Sequence, residues 1–314
     1  MLSTFLSVAH TPGLWRRAIA RRAICSFDSN RAPVMESHGE FIAMMRGVGE
    51  KEGSVSMRAI DGCDQVVEIV MSNPSKRGAI NSKMMLELGA HVDAINAASV
   101  SGSVRGVILR GAGKSFCAGL DLELARNVIN SPQRGILMSD FMTDCLTRIR
   151  DSNAVSVCVI NGPAVGGGSE IITCCDYRLV VKGARVQSVH ARIGAAPGWG
   201  GTSRLLQLVG RKHALTCLGA SASLDPSNAL AMGLVDLIIE PEDDDESYSR
   251  AGVEFLRPFV GETQCASSVR GIKYTLAAAQ DVDEMLKREQ EVFFDRWFSA
   301  ENVAAVDKAL GKKK

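Results

Sequence analysis

The chain has 314 residues, 46% of them hydrophobic, and a formal net charge of +1. That is enough apolar material for one main domain with an appendage, and so even a charge argues against nucleic acid or an anionic membrane as a partner. Nine Cys and five His are dispersed without a CxxC pair or a ligand cluster, so neither a disulfide frame nor a metal site is expected, and no apolar run reaches the ~18 residues of a membrane span.

Met1 to Phe27 carries Arg16, Arg17, Arg21 and Arg22 and has no acid before Asp28. An Arg-rich, acid-free amphipathic start predicts an organelle transit peptide, with the mitochondrial matrix as destination and the cytosol as the alternative. The polar stretch that follows reads as a linker with room for one short helix, which makes residues 1–54 presequence plus linker. Residues 55–245 then form the core, and residues 246–314 a helical C-terminal part.

Within the core, Val66 to Met71 is a strand broken by Ser72-Asn73-Pro74-Ser75. After the N-cap pair Asn81 and Ser82, Met84, Met85, Leu88, Val92 and Ile95 share one face of a helix. Gly106 to Arg110 is a second strand, a helix runs from about Ser139 to Arg150, and Val155 to Ile160 is a buried, β-branched strand. Arg178 to Val181 is another strand, Gly201 to Val209 a helix, and Ala229 to Leu234 a helix that leads into the strand Leu237 to Ile239. Alternating strands and helices imply right-handed βαβ crossovers and layered sheets. Glu240 to Glu246 reads as a solvated acidic linker. Helices are expected over Ala251 to Phe259, Thr263 to Ala279 and Val282 to Phe298.

The chemistry concentrates in Asn161-Gly162-Pro163-Ala164-Val165-Gly166-Gly167-Gly168-Ser169-Glu170. A strand, a glycine turn and a helix start point free backbone N–H groups at whatever lies above the turn, with the helix dipole behind them. A phosphate cradle is disfavoured, because no Lys-Ser/Thr pair follows and Glu170 would repel phosphate. Gly111 to Ser115 ends like a phosphate loop but has Ile108 where that motif needs glycine. An oxyanion site with a carboxylate one turn away remains.

Several blocks in this order resemble the crotonase (enoyl-CoA hydratase/isomerase) superfamily: Ser115 to Asp121, Asn161 to Glu170, Cys175 to Arg178, Pro197 to Leu205 and Ala229 to Val235. The resemblance covers about Val66 to Phe298. It implies an α/β spiral of ββα/βαβ units with a helical C-terminal subdomain, assembled as homotrimers or hexamers. It also implies an acyl-CoA substrate, with no cofactor beyond the CoA that the substrate carries and no metal. By motif position, the N–H groups of Leu120 and Gly167 would receive the thioester oxygen, in a loop built by Ala118, Gly119, Asp121 and Gly166. Lys76, Arg77 and Lys273 would meet the CoA phosphates.

Hydratases of this superfamily use two glutamates that share a water. Here the first position is Glu170, but the second, counted back from Pro197, is His190, and no acid lies between Asp176 and Asp225. The pair Glu170 and His190 with Pro197-Gly198-Trp199-Gly200-Gly201 most resembles the decarboxylating branch, which acts on short branched malonyl thioesters such as ethylmalonyl-CoA or methylmalonyl-CoA. Decarboxylation yields an enolate directly, so the enzyme must hold an oxyanion, desolvate a carboxylate against an apolar wall such as Trp199, and supply one proton. Hydration or isomerisation of enoyl-CoA is the alternative, and a non-catalytic acyl-CoA binder is a second one. Retention of Glu170 and the triple glycine speaks against the latter.

Overall fold

Both strands Gly106–Gly111 (β3) and Val155–Ile160 (β4) are buried at every position, the pattern of a parallel sheet covered on both faces. The structure, a computed structural model, describes residues 38–49, 52–240, 245–261, 263–278 and 300, all within the compact unit Glu36–Lys314. The presequence and the helix expected over 282–298 lie outside the described residues.

The main sheet has six strands. Ser54–Ile60 (β1) and Cys63–Ser72 (β2) form an antiparallel hairpin, and β3, β4, Tyr177–Val181 (β6) and Leu237–Ile239 (β9) follow β2 in parallel order. A smaller three-stranded sheet joins Ala164–Val165 (β5), Val186–Gln187 (β7) and Ser223–Leu224 (β8). Side chains alternate along β4: Cys158 and Ile160 enter one core, and Val155, Val157 and Val159 the other.

The first core packs the sheet against the helices Ser82–Ser101 (α2) and Pro132–Arg150 (α4), through Met84, Leu88, Ile95, Leu137, Leu146 and Ile149. The second is closed by a later helix, Asp245–Val260, with Tyr248, Leu256 and Val260. Preceding α2 is the helix His38–Gly47 (α1), the short helix anticipated in the linker. Asn81 caps α2 as its sequence predicts: its side chain accepts from Met84 N at 3.0 Å. Replacing Asn81 by Ala is expected to cost about 1 kcal/mol in chemical denaturation.

Several boundaries differ from the sequence reading. β1 escapes pattern recognition because only one of its seven residues, Val55, is buried, so its hydrophobic alternation is faint. α4 starts at Pro132, because Ser131 is a true N-cap accepting from Arg134 N. The helix after the triple glycine is short, Gly167–Ile171 (α5), and tightens into a single 3₁₀ turn over Ile172–Cys174. Gly201–Leu218 (α6) is longer than expected and kinks at Gly210 (φ 71°). Pro226–Ala231 (α7) follows Asp225, which caps it through Asn228 N. The last helices described are Asp245–Val260 (α8) and Ala266–Leu276 (α9), with Leu122–Asn127 (α3) beside the site.

The acidic linker also needs correcting. Asp245 and Glu246 open α8 and bind Arg110 and Arg58, at 3.0 and 2.9 Å. Between those arginines lies Glu68, fully buried on β2, which accepts from Arg110 Nε and Arg58 Nε, both at 2.8 Å, and from Ser249 on α8. Asp245 and Glu246 therefore fasten α8 to the sheet, while residues 241–244 of the acidic run lie outside the described residues.

Candidate active site

Three segments converge past the carboxyl ends of β3 and β4. Asn161 ties the strand ends together, accepting from Gly111 N at 3.0 Å and donating to Gly113 O at 2.7 Å. Cys117 bridges to Ala164, with Val165 N donating to Cys117 O at 2.8 Å, and Ile80 bridges to Leu120. A β-carbon on Gly119, whose φ is +96°, would lie 2.9 Å from Gly167 N, so the 118–120 loop runs directly against the start of α5. Among the described residues, neither Leu120 N nor Gly167 N donates to another protein group. Burial pushes the Cys117 thiol up to about 12, which removes it as a nucleophile; instead it accepts from Gly119 N at 3.3 Å and shapes the loop.

Trp199 is buried and its ring packs directly against Gly167: a β-carbon there would come within 2.3 Å of Cζ3. The indole N–H is satisfied by Met138 Sδ at 2.9 Å. An apolar wall thus stands beside the free N–H of Gly167, as the sequence reading requires of Trp199.

Glu170, one turn along α5, is 3% exposed. Its Oε2 accepts from Trp199 N at 2.8 Å and Gly201 N at 3.0 Å, and its Oε1 from Gly198 N at 3.3 Å. The carboxylate therefore sits on the N-terminus of α6, where orphan N–H groups and the helix dipole complement negative charge. This approach is possible because position 201 is glycine; a β-carbon would fall 2.4 Å from Glu170 Cγ. His190 opens the 3₁₀ turn His190–Ile193, and its Nε2 lies 3.1 Å from Glu170 Oε1. The residues at the two glutamate positions of the family pattern, Glu170 and His190, are in direct contact.

Sequence reasoning missed the parts that hold this pair. Arg204, buried on α6, donates to Trp199 O at 2.6 Å, to Glu170 O at 3.4 Å and to Thr173 Oγ1 at 2.9 Å. Ser139 and Thr143 of α4 both donate to Gly198 O. Ser188 Oγ meets His190 Nδ1 at 2.8 Å. A cavity of about 20 Å³ lies against Glu170 and Ser188, lined also by Ser169, Leu205, Cys217 and Leu224. It could take a water molecule but not an acyl group.

The expected phosphate-binding cations are placed differently from one another. Arg77 is exposed, in a left-handed conformation (φ 54°), with no ion-pair partner among the described residues. Lys76 is paired with Asp121 at 2.7 Å and Glu123 at 2.6 Å, which hold its ammonium above the usual lysine range. Asp121 is itself the N-cap of α3, accepting from Glu123 N and Leu124 N. Lys273 is buried, with its ammonium on Ala154 O and on Asp176 at 2.7 Å. Those bonds tie Lys273, on α9, to the residues that lead into β4 and β6, while Asp121 is engaged by Lys76 and by the start of α3.

Comparison with known proteins bears on the fold and the family. The family described as enoyl-CoA hydratase/isomerase matches residues 62–292. Ethylmalonyl-CoA decarboxylase of Xenopus tropicalis is 31% identical over 298 residues, covering 95% of each chain. Its namesake in Mus musculus is 34% identical, covering 76% of this chain and 73% of its own, and that of Homo sapiens is 30% identical, covering 82% and 81%. Enoyl-CoA hydratase of Bacillus anthracis superposes with a TM-score of 0.73 at 22% identity, over 83% of this chain and 97% of its own. The Geobacillus kaustophilus structure gives 0.73 at 23% identity, over 84% and 96%. The crotonase fold is shared across these structures, and by the extent of the family match and the identity of its relatives, this chain belongs to the enoyl-CoA hydratase/isomerase family.

Proposed function

We propose that this protein decarboxylates short alkylmalonyl-CoA thioesters, with ethylmalonyl-CoA as the leading substrate and methylmalonyl-CoA as the second. The observation that carries this reading is the Glu170–His190 contact at 3.1 Å. Water addition across an enoyl thioester needs two acid–base carboxylates, and here one of the two positions holds an imidazole. The family relatives named ethylmalonyl-CoA decarboxylase support the same choice.

The Leu120 and Gly167 N–H groups receive the thioester carbonyl oxygen, and each such donor is worth about 10²–10³ in rate. The bond from the α-carbon to the carboxylate breaks, CO₂ departs, and the electron pair moves into the enolate, whose oxygen those N–H groups hold. Trp199 keeps water from the leaving carboxylate, so the neutral product is favoured over the buried anion. One proton, borne by His190 in its doubly protonated form and returned to the pair from solvent, then completes the α-carbon. Of Lys76, Arg77 and Lys273, the exposed Arg77 is the one proposed to meet a CoA phosphate. Residues 1–27 support a mitochondrial-matrix location for the chain, and the family resemblance supports assembly as trimers or hexamers, to be read by light scattering.

Incubation with ethylmalonyl-, methylmalonyl- and crotonyl-CoA, followed by mass analysis, tests the reading. Butyryl-CoA and CO₂ are expected from ethylmalonyl-CoA. Brisk hydration of crotonyl-CoA without CO₂ release from either malonyl thioester would replace it with the hydratase alternative. Gly201→Ala forces the Glu170 carboxylate aside, since the new β-carbon would sit 2.7 Å from Oε2. A displacement of that order is expected to lower kcat by about 10²-fold, measured on the same substrate.

A further inference from the structure

Ser188 follows β7 directly, two residues before His190, and is 4% exposed. Its hydroxyl lies 2.8 Å from His190 Nδ1, while the opposite ring nitrogen, Nε2, lies 3.1 Å from Glu170 Oε1. The row Ser188–His190–Glu170 has a fixed end. The Glu170 carboxylate already accepts from Gly198 N, Trp199 N and Gly201 N, so it faces His190 as an acceptor. Nε2 must then carry a hydrogen to make the contact. In a neutral imidazole the other nitrogen is bare and needs a donor, and the Ser188 O–H supplies it.

We propose that Ser188 is a positioning residue of the active site: its hydroxyl holds His190 in the Nε2–H tautomer and fixes the plane of the ring against Glu170. The assignment rests on the reading of Glu170 and His190 as the proton source for the enolate. A hydroxyl suits the task because it can donate or accept by rotating about its own bond. When His190 is doubly protonated, Ser188 turns to accept from Nδ1–H, and the ring need not move. Without the hydroxyl, Nδ1 faces a gap beside the small cavity, and nothing opposes a ring flip that would turn carbon atoms toward Glu170. The nitrogen that bears hydrogen is set by the partner of the other one, and here that partner is a side chain sequence reasoning passed over.

The test uses the full chain labelled with ¹⁵N-histidine, with the His190 signals assigned by their loss in His190→Gln. At a pH where the ring is neutral, the wild type should show a protonated Nε2 and a bare Nδ1. Ser188→Ala should give mixed tautomers and a kcat for ethylmalonyl-CoA about tenfold lower, the worth of one neutral hydrogen bond, with KM nearly unchanged. Ser188→Thr, which keeps the hydroxyl, should restore both. Ser188→Cys, a weaker donor of similar size, takes the place of Ala if that variant does not fold. An unchanged tautomer in Ser188→Ala or Ser188→Cys, together with wild-type kcat, would overturn the proposal. Should the wild type release no CO₂ from any malonyl thioester, the decarboxylase reading fails, and the nitrogen signals still decide the part played by Ser188.

Discussion

Glu170→Gln is expected to lower kcat for ethylmalonyl-CoA by about 10²–10⁴-fold, the span of a lost general acid–base group. The substitution keeps the volume but not the pattern of acceptors. In the native site all four neighbours of the carboxylate are donors: Trp199 N and Gly201 N on Oε2, Gly198 N and His190 Nε2 on Oε1. An amide has one oxygen, so its NH₂ must face either the two N–H groups of Trp199 and Gly201 or the pair Gly198 N and His190 Nε2. The second orientation is the less costly, and it inverts the His190 tautomer, because Nε2 must then accept. Stability should fall far less, by roughly 1 kcal/mol for the charge lost at the α6 N-terminus. Full retention of turnover in Glu170→Gln would remove the residue from the reaction.

Glu68→Ala is expected to cost about 3–5 kcal/mol, the cost of leaving a buried charge without its partner. Glu68 is fully buried between Arg110, itself only 4% exposed, and Arg58. Removing it leaves the Arg110 guanidinium, among the described residues, with Gly111 O and a single carboxylate, Asp245, whose side chain is 43% exposed. The double variant Glu68→Met with Arg110→Met removes both charges and should recover most of the loss, because replacing a buried ion pair by apolar side chains of similar volume is often near neutral. Urea denaturation of both variants separates the two effects. A loss under about 1 kcal/mol in Glu68→Ala would show that the network is ornamental, against the geometry.

The same network predicts an acid limb. Burial alone would raise the Glu68 carboxyl, but the hydrogen bonds from Arg110 and Ser249 outweigh it and hold the group below the usual carboxylate range. A folded-state pKa below the unfolded one means that the contribution is fully present above the unfolded value of about 4.3. It is lost as pH falls through the lower, folded value. Wild-type stability should therefore drop on acidification below about pH 4, with the outer face of the sheet, where α8 packs, exposed first. Hydrogen exchange along β3 and β4 would report it.

Much of this protein is written in short-range pattern. The β-branched run of β4, the Asn81 cap of α2 and the glycine turn before α5 are each specified by a few neighbouring residues, because strand alternation, capping and turn chemistry act within one or two turns of chain. Even the positions Glu170 and His190 are marked by the family pattern, though their contact is not. Tertiary structure decided the rest. Asp245 and Glu246 look like solvated acids until α8 is laid on the sheet, where they meet Arg110 and Arg58. Lys273 looks like any surface lysine until α9 brings it to Asp176. Ser188, Arg204 and the three N–H groups that receive Glu170 carry no local mark, since a serine hydroxyl or a peptide N–H is defined by what packing sets opposite it. Sequence determined which groups this chain owns and which elements carry them; only folding, by burying charges that must find partners at long range, decided which of them face one another.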